Sequence, residues 1–267
     1  MKPVYINSVR IAAPGLIGEE QAIAVLAKQQ PWQATEFPAL APQLLPANER
    51  RRITSYIKLA LQIADETNSA HDDTKTKPLA AVFASANGDC FIIDHICNST
   101  TLTPRHVSPT QFHNSVHNAP SGYWAIAAKS SMPSTSISTG NSTFASGLLE
   151  AVTQLLSSGE DILYVAYDYP PVEPSPLVKF IDVSQPFAVA FILSLNKNTQ
   201  NAGMISLKLQ NEVKEKSLCV NSSLNELQQS NPVANSLPLL EALYLKKATQ
   251  LYIPFLNNTL LQVDVSQ

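Results

Sequence analysis

Charge is scarce in this sequence. Lys, Arg, Asp and Glu make up 15% of the 267 residues, the formal net charge is −3, and no block of one sign is longer than Arg50-Arg51-Arg52. The lack of a basic excess to gather on one face argues against a general nucleic-acid binder. Long apolar runs are missing as well. The longest, Pro186 to Leu195, falls well short of the roughly 20 residues that cross a bilayer as a helix, so no membrane span is expected. Met1 to Asn7 moves straight into apolar–polar alternation, with no apolar stretch leading to a small-residue cleavage site, and the expected compartment is the cytoplasm. Cysteine is sparse: Cys90, Cys97 and Cys219 are an odd number without a framework spacing, which fits reduced thiols. What the chain does have is a 45% apolar fraction, enough to fill a sizeable core and to exclude a disordered polypeptide.

The pattern alternates strands with helices. Val4 to Ile11 reads as a strand, and Arg50 to Thr67 reads as a helix with Ile53, Ile57, Ala60, Leu61 and Ala64 on one face and Asn48 as its N-cap. Leu79 to Ala84 is a continuous apolar run of strand length, of the kind buried on both faces, and a helix from Asp89 to Asn98 follows it. Ser108 to Lys129 is helical material interrupted at Pro120-Ser121-Gly122. A strand from Ser134 to Thr139, a helix from Ser146 to Leu156 and a strand from Ile162 to Tyr167 complete a further β-α-β unit. This spacing predicts a mainly parallel sheet in an α/β/α layered domain. Pro170 to Pro176 is a stiff surface loop. Phe187 to Leu195 and Met204 to Leu209 are two more strands, read as antiparallel neighbours joined by a turn at Asn196 to Asn201, and Asn211 to Asn235 is polar and loosely helical. There is no internal repeat.

Familiar catalytic signatures are also absent. No Gly-x-Ser-x-Gly elbow, phosphate-binding Gly-rich loop or Gly-x-Gly-x-x-Gly fingerprint occurs, which argues against a serine hydrolase, an NTPase or a dinucleotide enzyme, and no cofactor is expected. His113 and His117 stand four apart, as two zinc ligands on one helical face would, but the residues between them supply no general-base Glu and no third ligand is evident. Packing or hydrogen bonding is the preferred role, and no metal is expected. His95, Cys97 and nearby Cys90 suggest a thiol–imidazole pair, but Cys97 falls in the back half of its helix, away from the N-terminus that favours a thiolate, and reads as an inert core thiol. Arg50, Arg51 and Arg52, with Lys58 beyond them, form the sole basic cluster and are candidates to steer an acidic partner.

One stretch carries more. His113-Asn114-Ser115-Val116-His117-Asn118-Ala119-Pro120-Ser121-Gly122-Tyr123-Trp124-Ala125-Ile126 is followed by Pro133-Ser134-Thr135-Ser136-Ile137-Ser138-Thr139 and then by Phe144-Ala145-Ser146-Gly147-Leu148-Leu149-Glu150-Ala151. In order, spacing and strand-turn-helix context this resembles the β-ketoacyl synthase family of the thiolase fold, over about residues 108 to 168. The resemblance implies a thiolase-like layered α/β/α fold, an N-terminal lobe with an abbreviated second lobe, and residues 1–267 as a single domain. In that family the residue before x-Ser-Gly is a cysteine whose pKa the helix N-terminus lowers and whose neighbouring amides bind the oxyanion. Here that place holds Phe144, no cysteine lies between Cys97 and Cys219, and all five histidines precede Phe144, whereas the family's catalytic histidines follow the nucleophile.

What the resemblance then implies is a partner subunit rather than an independent enzyme. It is similar to the chain-length factors of type II polyketide systems, and most to the truncated ketosynthase-like subunits of bacterial aryl polyene systems. The implied partners are a catalytic ketosynthase subunit and an acyl carrier protein. His113, Asn114, His117, Tyr123, Trp124, Ser136, Ser138 and Phe144 are the interface or tunnel candidates, with ordinary core packing as the alternative for Tyr123 and Trp124. Arg50, Arg51 and Arg52 are the candidates for carrier-protein docking. Two other functions stay open: an acyltransferase or malonyl decarboxylase using a hydroxyl of Ser142, Thr143 or Ser146, and a module that sequesters acyl chains.

Overall fold

The computed structural model describes residues 1–71, 78–199, 201–210 and 214–267. In chain order the elements are β1 (Val4–Ala12), α1 (Glu19–Leu26), α2 (Ala47–Arg50), α3 (Ser55–Ser69), β2 (Ala80–Ala84), α4 (Cys90–Thr101), α5 (Pro109–Asn114), α6 (Ala119–Ala127), β3 (Ser134–Ile137), α7 (Thr143–Ser158), β4 (Ile162–Asp168), β5 (Phe187–Ser194), β6 (Gly203–Gln210), α8 (Asn225–Gln229), α9 (Leu237–Tyr244), β7 (Thr249–Pro254) and β8 (Leu260–Ser266). Among the described residues no helix is long and apolar enough to cross a membrane.

The strands form one mixed sheet in the order β3-β2-β4-β5-β1-β6-β8-β7. Parallel pairing is confined to β2 with β3 and β4, and every other neighbouring pair is antiparallel, which corrects the expectation of a mainly parallel sheet. The reason lies in the connections. Parallel neighbours need a crossover, and helical crossovers join adjacent strands only within β3-β2-β4, those from β1 to β2 and from β6 to β7 linking strands that are not neighbours; the Pro-rich loop after β4 carries no α-helix and returns the chain antiparallel as β5. β5 and β6 share the sheet but are not neighbours, because β1 lies between them and pairs with both.

Strand periodicity divides the core in two. Val82, Ala84, Tyr164, Ala166, Val189 and Phe191 face α7, while Ala81, Phe83, Leu163, Val165, Ala188 and Ala190 face α3. β2, β4 and β5 are therefore buried on both faces, as their unbroken apolar runs predict. The three C-terminal strands behave differently. Ile205, Leu207, Ile253, Leu261 and Val263 join the α7-side core, whereas Lys208 and Gln250 are exposed, so this part of the sheet is covered on one face only. It extends the edge of the same sheet.

Two helix boundaries also differ from expectation. The helix expected over residues 50–67 is broken: α2 ends at Arg50, and the Thr54 hydroxyl, not Asn48, caps α3 by accepting from the Ile57 amide at 3.4 Å. Residues 108–129 break at 115–118 rather than at Pro120, which occupies the first turn of α6, where its missing N–H costs nothing. The polar stretch 211–235 contains α8 and two short 3₁₀ turns, at Ser222–Leu224 and Pro232–Ser236; residues 211–213, like residue 200 in the turn after β5, lie outside the described residues.

Candidate functional site

The turn from β3 into α7 decides what chemistry is available. β3 leaves the sheet with the Ser138 hydroxyl donating to the Ala86 carbonyl at 2.9 Å. Gly140 then takes a left-handed φ of 57°, a conformation that favours glycine, and Gly140–Ser142 forms a 3₁₀ turn running into the helix. The Thr143 amide, at the helix start, donates to the Gly140 carbonyl and is thereby occupied. Thr143 and Ser146 are buried and engaged, Thr143 Oγ1 accepting from the Thr139 amide and Ser146 Oγ accepting from the Thr139 hydroxyl, both at 3.0 Å. Asn141 and Ser142 instead line a polar cleft of about 740 Å³ together with Asp182, Lys216, Asn231 and Asn235.

Phe144 does not face that cleft. It is 1% exposed, its ring centroid lies 5.9 Å from Tyr164 and 6.3 Å from Phe191, and the Tyr164 hydroxyl donates to its carbonyl at 2.6 Å. The side chain expected at the interface or tunnel belongs to the core beneath α7. Trp124, also expected there, is buried in the α3-side core.

The remaining interface candidates gather around α5, α6 and β3. The buried Asn114 donates from Nδ2 to the Arg52 carbonyl at 3.1 Å and accepts at Oδ1 from the Tyr123 hydroxyl at 3.0 Å, tying this region to the basic turn. Ser136 and Ser121 hydroxyls meet at 3.1 Å, locking β3 to α6. His117 Nε2 lies 3.0 Å from the Ser85 carbonyl, which can only accept, so that nitrogen carries the proton. His113 is exposed and lines a groove of about 510 Å³ with Phe112, Val116, Tyr123 and Ile126. Because α5 ends at Asn114, the two histidines do not share a helical face, and among the described residues no group of three or more His, Cys, Asp or Glu could hold a metal ion.

That groove borders a hydrogen-bonding edge. Phe112 is 67% and Ile126 77% exposed, an unusual position for large apolar side chains. β3 pairs only with β2, and among the described residues nothing pairs its outer side. At the opposite edge β7 is covered: the Ser217 amide donates to the Tyr252 carbonyl at 2.8 Å and the Tyr252 amide donates to Ser217 Oγ at 2.9 Å.

A buried polar cluster lies at the ends of β2 and β4. Asp168, 0% exposed, accepts from the Ser85 hydroxyl at 2.8 Å and from the Ala86 and Asn87 amides at 2.9 and 3.3 Å, fixing the turn before α4. Asp89 caps α4 through the Ile92 amide and accepts from the Thr54 hydroxyl, so one carboxylate joins the starts of α3 and α4. Beside these carboxylates Cys90 is buried, and desolvation pushes its thiol up to about 12. Cys97, expected in the core, is exposed; the core thiol of α4 is Cys90. Sequence reasoning missed this cluster, although a strand ending in Asp with a Ser-Ala-Asn-Gly turn elsewhere was its available signal.

Desolvation, opposed by its three hydrogen bonds, lifts the Asp168 carboxyl from 3.8 to about 6. The folded chain therefore holds this proton more tightly than the unfolded chain. The stabilisation so contributed is complete below about pH 4 and is lost as the pH rises through about 6. Urea unfolding across pH 4 to 7 is expected to show wild type losing on the order of 2–3 kcal/mol relative to Asp168→Asn over that window. Parallel profiles for the two proteins would contradict it.

Of the basic cluster, Arg50 donates to the Gln43 side chain at 3.0 Å, Arg52 pairs with Glu49 at 3.4 Å, and Arg51 is exposed.

Comparison with known proteins places this geometry. A family model described as beta-ketoacyl synthase, N-terminal domain, matches residues 25–254. No curated protein matches the sequence. Among solved structures, a chain from the complex of a ketosynthase with its chain length factor from Xenorhabdus doucetiae is 24% identical with a TM-score of 0.73, 99% of this chain and 100% of that one being covered. The ishigamide ketosynthase/chain length factor gives 12% identity and a TM-score of 0.71, with 99% of both chains covered. A type II polyketide synthase complex of an acyl-carrier protein with its ketosynthase gives 13% and 0.73, again with 99% of both covered. At these identities the likeness shows the fold.

Proposed function

The chain belongs to the beta-ketoacyl synthase N-terminal-domain family, and from that premise we propose that it is the non-catalytic, chain-length-determining subunit of a type II ketosynthase heterodimer, acting in the cytoplasm on aryl polyene or related polyketide or fatty-acid-like elongation. The observation that carries the reading is the elbow itself. Where the family's reaction needs a thiolate at a helix start, this chain has a core phenylalanine, an amide already hydrogen-bonded to Gly140, and no histidine further along the chain. The match over the full length of a chain from a ketosynthase–chain length factor complex supports it.

The seam is the unpaired edge of β3 with the apolar groove of α5 and α6 beside it. His113, Asn114, His117, Tyr123, Ser136 and Ser138 line or buttress it. Trp124 and Phe144 support it from within the core, and residues 1–267 work as one domain. The catalytic subunit's growing chain is stopped by packed side chains at this seam, since displacing them costs about 1–3 kcal/mol. An acyl carrier protein, attracted to the Arg50–Arg52 turn, delivers the substrate.

Co-expression with a catalytic ketosynthase is expected to yield a soluble 1:1 complex, and expression alone an insoluble or self-associated chain. Ile126→Asp, on a side chain already exposed to solvent, is expected to weaken the complex at least about tenfold while leaving the thermal midpoint of the chain unchanged. A soluble monomer indifferent to the synthase, or malonyl-carrier turnover by the isolated chain that Ser142→Ala abolishes, would overturn the reading.

A further inference from the structure

The turn between β2 and α4 is held at both ends of its peptide groups. The Ala86 and Asn87 amides donate to the Asp168 carboxylate at 2.9 and 3.3 Å, and the Ser85 hydroxyl does so at 2.8 Å. The carbonyls of the same stretch have other partners. The Ser85 carbonyl accepts from His117 Nε2 at 3.0 Å, and the Ala86 carbonyl accepts from the Ser138 hydroxyl at 2.9 Å. Two consecutive peptide planes, Ser85–Ala86 and Ala86–Asn87, therefore each carry Asp168 on the N–H and a residue of the proposed seam on the C=O. The Ser85 amide adds a third tie, donating to the Ile137 carbonyl of β3 at 3.1 Å.

A peptide unit is planar and stiff, so a displacement of its N–H end is passed to its C=O end. Hydrogen bonds to an ionised acceptor are roughly twice as strong as neutral ones, and a bond at one end of an amide polarises the bond at the other. The charge on Asp168 thus tightens the contacts of His117 and Ser138, and protonation slackens them. Nothing neutralises that charge: among the described residues Asp168 enters no ion pair. The titratable groups around it are Tyr56 on α3, Tyr167 on β4, Asp89 and Cys90 at the start of α4, and His117 beyond the turn. Burial keeps both tyrosines and the thiol neutral, and Asp89 is engaged by Thr54 and the Ile92 amide.

We propose that Asp168 is a positioning residue of the seam: its ionised carboxylate, acting through the Ser85–Ala86 and Ala86–Asn87 peptides, sets His117 and Ser138 in the arrangement that the catalytic subunit binds, so that pairing depends on the proton Asp168 holds. The inference rests on the function proposed above and adds a regulation to it. A pair that favours the ionised form makes this carboxyl a stronger acid in the complex than in the free chain. Affinity then rises as the pH passes through about 6, where the free chain's carboxyl titrates, and levels off above it.

The test follows dissociation of the assembled heterodimer on dilution, read by energy transfer between labelled subunits, across pH 5 to 7.5. His113, His117 and groups of the catalytic subunit also titrate in this range, so wild type and variant are compared at each pH. Asp168→Asn keeps the shape and one acceptor but never ionises. It is expected to pair about tenfold more weakly than wild type at pH 7.5 and within about twofold of it at pH 5, the span given by a one-unit difference in acidity between free and paired chain. Ser85→Ala, which removes one of the three bonds without touching a titrating group, should also lose more affinity at pH 7.5 than at pH 5, and it decides alone should Asp168→Asn not fold. In a His117→Leu, Ser138→Ala background the effect of Asp168→Asn at pH 7.5 is expected to shrink to within about twofold. A loss that is the same at every pH, or no loss at all, overturns the proposal, and a loss undiminished in that background overturns the route through the turn; each leaves the proposed function standing. If the wild-type chain forms no heterodimer at any pH, it is the proposed function that fails.

Discussion

Phe144→Ala is expected to lower the free energy of unfolding by about 3–5 kcal/mol in chemical denaturation, the range for deleting a large aromatic from a close-packed site. The magnitude follows from its neighbours. Tyr164 and Phe191 are both fully buried, so the vacated space is bounded by core side chains. Phe144→Leu, which keeps most of the volume, should recover much of the loss. Phe144→Cys separates structure from chemistry: a thiol at this position would lie under α7 among aromatic rings, where desolvation favours its neutral form, so it is expected to destabilise the fold without creating condensation activity. A stability within about 1 kcal/mol of wild type for Phe144→Ala would place the ring outside the core.

The second large effect is expected at Gly147. A Cβ there would lie 2.7 Å from Tyr164 Cε2 and 2.8 Å from both the Tyr164 hydroxyl oxygen and Ala84 Cβ. Neither neighbour can yield easily. Ala84 is part of β2, paired on both sides and buried on both faces, and Tyr164 is held by its hydrogen bond to the Phe144 carbonyl. Gly147→Ala is therefore expected to cost about 3 kcal/mol or more through overpacking, against roughly 1 kcal/mol gained from helix propensity. Calorimetry of the purified variant checks this, and a raised midpoint would show that α7 can lift off the sheet. The glycine serves close approach, since its φ is not in the left-handed region.

These two positions show where the sequence was legible. Phe144, Gly147, Leu148 and Ala151 recur at i, i+3, i+4 and i+7, the spacing of one helix face, and that face meets the sheet. A helix started at Ser146 leaves Phe144 outside the repeat, as a free elbow residue; starting it at Thr143 turns the same ring into core. The buried strands β2, β4 and β5 were readable because both of their faces are apolar. The mixed direction of the sheet was not, because strand direction depends on connections, and a Pro-rich loop carries no periodic signal. The C-terminal hairpin escaped for a different reason. β7 and β8 are half-covered and only weakly alternating, yet Asn257 and Asn258, both with left-handed φ near 54° and 59°, mark the turn between them and were the signal to follow. The buried Asp168 cluster joins residues more than 80 positions apart, a proximity that no local pattern encodes.

The unequal treatment of the two sheet margins sets a limit on assembly. Among the described residues β3 has nothing along its outer side, whereas Ser217 occupies both backbone groups of Tyr252 on β7, so a strand added at β3 does not find an equally free margin at the far end. Under the proposed pairing, the two margins are therefore unequal, and continued edge-to-edge addition of further chains through this sheet is disfavoured.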